Sequence, residues 1–299
     1  MRFKFASDDV PFNWQPERPG FGMICNLISF FAPGFEKFIV DSTREAIPLM
    51  RKAAHVEEAD AYLRQEAQHS AAHVNHIRAL VRRWPGLRDV EASITASYKH
   101  LTATKPLAWR LAYPAVVEAT FTPYFKVFLD HEDEFFRPGD EEVASLFLWH
   151  FVEEIEHRSS AQIVYNAVHG SFPYRVKVIG DVFHHMSTIL SIVSTGFQQH
   201  VPARDGGHYG RLLPNGLSPH AIRHARKAHR KLPGHLRSTY DGVPRRELVQ
   251  MLAGLVRCQG PNHDPAEENV PAFADHWFQK FNDDPSIAPR WYSVGAGKK

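Results

Sequence analysis

Leu148–Asn166 reads LWHFVEEIEHRSSAQIVYN, with three glutamates and two histidines between His150 and His157 in an otherwise apolar run. His150, Glu154 and His157 stand at i, i+4 and i+7, which puts them on one side of a helix. The same helix offers Leu146, Phe147, Phe151 and Ala161 to neighbours, so the charged side is expected to face inward. Carboxylates and imidazoles turned into a core need a partner, and a metal ion supplies one.

A second stripe of this kind lies upstream, in YLRQEAQHSAAHVNH. Glu66 and His69 form a Glu-x-x-His pair and His73 adds the i+7 position, much as Glu154 and His157 pair with His150 one turn before. Two Glu-x-x-His helices are half of a di-iron carboxylate site, and the other half is one inward Glu from each of two further helices. Glu118 fits one of these places. It is the only acidic residue between Glu91 and Asp130, and Val116, Val117 and Phe121 surround it. Glu36 fits the other, ringed by Phe35, Phe38 and Ile39; its competitor Glu45 follows Asp41 and Arg44 on what reads as a wet face. The order is then Glu, Glu-x-x-His, Glu, Glu-x-x-His, with Glu36 to Glu118 spaced much as Glu66 to Glu154.

The residues leave some assignments open. Glu153 lies four positions before His157 and competes with Glu154, which the symmetry with Glu66 and His69 favours. His73 and His150 are each either a third imidazole ligand or a hydrogen-bond partner of one. His76 falls off the stripe and reads as a plain polar contact. Thr122, one turn past Glu118, either meets an oxygen at the metal or bonds back to its own helix. Oxygen donors with imidazoles and no thiolate suit two iron ions, with manganese as the variant, and disfavour a structural zinc site.

FAPGFEKF, QEAQHSAAH, VEATFT and above all LWHFVEEIEHRSSAQIVYN resemble a bacterial family described as predicted metal-dependent hydrolase, over roughly residues 20–200. The His-x-x-x-Glu-x-x-His string at 150–157 is also similar to that of the p-aminobenzoate N-oxygenases, ferritin-like di-iron enzymes that oxidise arylamines. That second resemblance implies a metal-ligand role for His150. It also implies an oxygen-activating di-iron enzyme acting on a small organic substrate, with O₂ and an electron donor as further partners. Two other readings stand beside it: a di-metal hydrolase, as the family description implies, and a non-catalytic iron-binding ferritin relative. Phe121, Phe125, Phe128, Phe147 and Phe151 would suit an apolar substrate, although phenylalanine at helical spacing is more often simply core.

Positioning such a site takes an all-α chain, a ferritin-like four-helix bundle with additional C-terminal helices and loops. Apolar periodicity predicts helices over about 34–50, entered after Pro33, and over 56–84, ending at Trp84-Pro85-Gly86. A third is expected over 106–131, kinked by Pro114 and Pro123, a fourth over 140–169, ending at Gly170, and a fifth over 173–201. In the last of these Ile179, Val182, Phe183, Met186, Ile189, Leu190, Val193 and Phe197 keep a helical period. It therefore reads as an amphipathic helix packed on the core, and no transmembrane helix is assigned. Beyond Val201 the chain is rich in Gly, Pro, Arg and His, so a boundary is placed at 202, with 1–202 as the di-metal domain and 203–299 as a region packing on it. That region is expected to hold a basic helix near 218–231, a short amphipathic one in RRELVQMLAGLVRC, and a mostly irregular tail from Gly260.

The 299 residues are 43% hydrophobic with a formal net charge of +2, enough for a large core and no field that invites nucleic acid. The basic run RHARKAHRKL reads as a solvated helix face. Two cysteines, Cys25 and Cys258, are too few for a disulfide scaffold, and with no signal-peptide pattern a reduced cytoplasmic setting is expected. A homodimer is admitted by the sequence and not fixed by it.

Overall fold

The computed structural model describes residues 3, 5 and 10–293, and among these there are helices and turns but no strand. The α-helices are α1 Pro19–Ala46, α2 Ala53–Arg83, α3 Leu87–Thr104, α4 Leu107–Val117, α5 Phe121–Asp130, α6 Glu132–Phe135, α7 Glu141–Glu156, α8 Ser160–Val168, α9 Phe172–His200, α10 Pro219–His229, α11 Arg245–Arg257 and α12 Ala272–Asp283. α1 packs along α2 and α3, α4 lies against α8 and α9, and α5 lies between α7 and α11.

The all-α class agrees with the sequence reading, and several element boundaries do not. α1 begins at Pro19 and runs through Pro33 instead of starting after it. An interior proline costs a helix about 3 kcal/mol. Phe30, Phe31, Phe35 and Phe38 are all buried around it, each contributing about 1.5–3 kcal/mol, which outweighs that cost. α3 was not foreseen, because its apolar positions (Val90, Ile94, Tyr98, Leu101) are diluted by Ser, Thr, Lys and His.

The third expected helix is divided. α4 ends at Val117, a 3₁₀ turn spans Glu118–Thr120, and α5 restarts at Phe121. Pro123 has no N–H to offer the Ala119 carbonyl, so the α-helical ladder fails at the turn that carries Glu118. The fourth is divided too, at His157, with no proline or glycine to announce the break. Its start is conventional: the Asp140 carboxylate accepts from the N–H groups of Glu142 and Val143 at 3.1 and 3.0 Å. α8 closes as expected at Gly170, whose φ of +64° only glycine adopts without strain.

α9 matches the expected 173–201 helix, yet Phe183 is 57% exposed rather than core. α1 with its following turn, and α9, are long and apolar enough to cross a membrane by length and composition, although most of the α1 stretch is buried inside the protein. The tail beyond Gly260 is more ordered than expected, since α12 and Trp291 bury against the rest of the chain. Cys25 and Cys258 are buried and unpaired.

Candidate metal centre

Every carboxylate and imidazole singled out for ligation is buried: Glu36, Glu66, His69, Glu118, His150, Glu154 and His157 are each at most 5% exposed. Glu36 comes from α1, Glu66 and His69 from α2, Glu118 from the 3₁₀ turn, and His150, Glu154 and His157 from α7 and its C-terminal cap. Six of the seven converge in two overlapping groups, Glu36–His69–His150–Glu154 and Glu66–His69–Glu154–His157. In each, one ligating atom per residue lies within 4.8 Å of all the others.

Glu154 is the centre. Its Oε1 is 2.8 Å from His150 Nε2 and 3.5 Å from His69 Nδ1, and its Oε2 is 3.6 Å from His157 Nε2. His150 Nε2 also lies 3.7 Å from Glu36 Oε1, and His157 Nε2 3.5 Å from Glu66 Oε1. Glu118 belongs to neither group; its Oε1 accepts a hydrogen bond from the buried Tyr62 hydroxyl. Glu45, the competitor of Glu36, is turned outward onto Arg110.

Behind these donors stands a layer of supporting hydrogen bonds. Glu153 stands outside both groups: its Oε2 is 3.0 Å from His69 Nε2 while its Oε1 accepts from Trp149 Nε1, leaving His69 Nδ1 facing the cluster. His73 uses both ring nitrogens, Nε2 with His150 Nδ1 at 2.8 Å and Nδ1 with Ser29 Oγ at 2.9 Å. Ser29 Oγ also meets His76 Nδ1 at 2.7 Å, so His76, far from a plain polar contact, closes a buried relay behind His150. Because Ser29 has one hydroxyl proton, the chain Glu154–His150–His73–Ser29–His76 has a single donor direction at a time, set by whether His150 Nε2 carries a proton. Thr122 is buried on the turn after Glu118. Tyr62 and Ser29 escaped the sequence reading. Tyr62 carries a legible signal, sitting four residues before Glu66 on the same helix face.

The electrostatics are those of an over-filled carboxylate site. Burial pushes Glu36, Glu66 and Glu118 well above the usual carboxylate range, with Glu154 adding repulsion. Glu154 itself is pushed up by burial, but His157, His150 and His69 outweigh that and hold it well below its ordinary value. Burial presses the His69 ring down, and the neighbouring carboxylates of Glu153, which is hydrogen-bonded to Nε2, and Glu154 carry it up to about 10. Burial takes His157 down to about 4. Several inward atoms have no hydrogen-bond partner, among them Glu36 Oε2, Glu66 Oε1, Glu118 Oε2, Glu154 Oε2, His69 Nδ1 and both ring nitrogens of His157. Four carboxylates and two imidazoles with unpaired atoms in a dry core, beside the ring of His150, are the donor set that one or two cations satisfy.

A cavity of about 1020 Å³ lies against the same segment, lined by Val117, Thr120, Phe121 and Phe125 around Glu118 and by Phe31 of α1. Phe125 in turn stacks on Phe151, next to His150, with ring centroids 4.1 Å apart.

Fold and site together define an all-helical protein with a buried Glu/His cluster suited to metal. The chain belongs to the family described as predicted metal-dependent hydrolase, whose model matches residues 1–252. No curated protein and no solved structure matches it.

Proposed function

We propose that the chain is a two-ion metalloenzyme in which Glu36, Glu66, His69, Glu118, His150, Glu154 and His157 hold the ions, within a ferritin-like arrangement of four helical runs (α1, α2, α4–α5 and α7). The observation that carries this reading is the set of unpaired, inward-facing oxygen and nitrogen atoms around Glu154. Oxygen-rich donors with imidazoles and no thiolate suit iron or manganese. When bound, such ions polarise a substrate oxygen and activate water, or exchange electrons with O₂.

The chain's own residues supply the rest. Glu153, held by Trp149, fixes the ring of His69, and the His73–Ser29 relay fixes His150. Tyr62 donates to Glu118 and limits its swing. Phe31, Phe121 and Phe125 keep water from the side on which a small organic substrate would approach. Metal-assisted hydrolysis is the reaction that family membership supports. A second reading, oxidation of an apolar substrate with O₂ and an external electron donor, is favoured by the apolar cavity beside Glu118.

Elemental analysis tests the site first. Protein from cells supplied with iron, manganese and zinc should carry close to two ions per chain, and Glu154→Ala, with helicity retained, should lose them. Glu153→Ala should bind metal about 10–100-fold more weakly, since it removes only the support of His69. Folded chain without metal under all three supplements sinks the reading. Ester turnover under nitrogen by the manganese- or zinc-loaded protein then selects hydrolysis, and O₂ uptake by the ferrous protein selects oxidation.

A further inference from the structure

The cavity against the turn that carries Glu118 has two unlike ends. Its inner wall is apolar and aromatic, formed by Phe31, Val117, Phe121 and Phe125, and Val182, Met186 and Leu190 of α9 continue that wall outward. At the rim stand Arg226 and Arg230, beside the exposed apolar residues Phe183 and Ile222. Arg226 and Arg230 are exposed, and their guanidinium groups make no ion pair or hydrogen bond to any described residue. No Asp or Glu occurs between Asp205 and Asp241, so α10 and its flanks carry only positive charge. The one carboxylate at the rim, Asp241, is already engaged by the Ser238 N–H at 2.6 Å.

We propose that this cavity holds a single-chain anionic amphiphile, a long-chain carboxylate, with its alkyl chain along the aromatic wall beside Glu118 and its head group at Arg226 and Arg230. Each part of the pocket selects one part of that molecule. A wall this apolar recovers about 0.8 kcal/mol per methylene removed from water. The unpaired guanidiniums meet a carboxylate as paired, charge-assisted donors. The volume is at the upper end of the range for small-molecule pockets, as an extended chain requires. As an assignment of substrate class this rests on the reading of the Glu/His cluster as the active centre; as a binding site it does not, and the two are tested separately.

The test is calorimetric titration of the full chain with monomeric octanoate, decanoate and dodecanoate, with decanol, with decyltrimethylammonium, and with phosphatidylglycerol vesicles. Metal content is measured on the same samples. One carboxylate per chain is expected, tightening about tenfold for each two added methylenes. The double substitution Arg226→Glu with Arg230→Glu should weaken decanoate about tenfold and leave decanol unchanged. Met186→Trp, which narrows the apolar wall contributed by α9, should weaken both decanoate and decanol while the far-UV circular dichroism stays the same. Equal binding of the cationic amphiphile, affinity independent of chain length, or vesicle binding with none to the monomeric carboxylates would overturn the proposal. Metal-loaded protein that binds no carboxylate overturns only this inference. Protein that binds carboxylate and holds no metal overturns only the metal centre.

Discussion

At the scale of single residues, the cluster is governed by what burial does to charge. A carboxylate in a dry core needs a cation, a donor or a proton, and the residues here sort by which of these they have. Glu154 has imidazoles, Glu153 has the His69 and Trp149 N–H groups, and Glu118 has the Tyr62 hydroxyl. Glu132, away from the cluster, accepts from the Tyr292 hydroxyl at 2.8 Å, and burial, with repulsion from Asp133, raises it from 4.5 to about 7. A carboxyl whose folded pKa lies above its unfolded value favours the folded state while protonated. Its contribution is therefore complete below about pH 4.5 and lost as pH rises through about 7. Glu132→Gln removes that loss. Between pH 5 and pH 8 the melting temperature of the variant should gain on wild type by roughly 2–4 °C, and parallel curves would show that Glu132 does not titrate in this window.

At the scale of elements, the site depends on where helices break and how closely they approach. The interruption of α4–α5 places Glu118 on a 3₁₀ turn, and its cause, Pro123, is visible in the sequence. The interruption at His157 is not, because no residue there forbids a helix; Ser160 is instead drawn to Glu58 of α2 at 2.5 Å, a contact between segments distant in the chain. Close approach is clearest where α3 crosses α9. A Cβ added to Gly196 would lie 2.3 Å from Val90 Cγ2, and valine has little rotamer freedom with which to yield. Gly196→Ala should cost about 1–3 kcal/mol in denaturant unfolding. Adding Val90→Ala should recover part of that loss; simple additivity of the two costs would mean that the crossing is not the site of strain.

At the scale of the whole molecule, the C-terminal region is built into the same core as the helices that carry the cluster. The Arg158 guanidinium, just past His157, donates to the carbonyls of Pro265 and Ala266 at 2.8 and 3.0 Å. Tyr292 N–H reaches Ser145 of α7 at 3.3 Å, and Trp277 and Trp291 belong to one continuous hydrophobic cluster with Phe136 and Phe147. A boundary at 202 therefore marks a change of composition, and we expect no separate unfolding unit behind it. Scanning calorimetry of the full chain should give a single transition, with calorimetric and van't Hoff enthalpies in agreement. A resolved second transition would make residues 203–299 an independent unit.

The local chemistry of this protein was legible in one dimension because helical periodicity turns spacing directly into a shared face. Glu66 with His69, and His150 with Glu154 and His157, needed nothing beyond 3.6 residues per turn, and isolation in an apolar stretch marked Glu118 and Glu36. Periodicity says which residues share a face, and it is silent on which faces meet. Only the packing of α1, α2 and α7 decided that Glu153 supports His69, that Ser29 joins His73 to His76, and that Glu118 pairs with Tyr62 while the other five donors close around Glu154. It also decided that the basic stretch on α10, which reads as a solvated face, borders an apolar cavity lined in part by α9. These are contacts between residues far apart in the chain. They form because burying each apolar face leaves the polar side chains beside it no partners but one another.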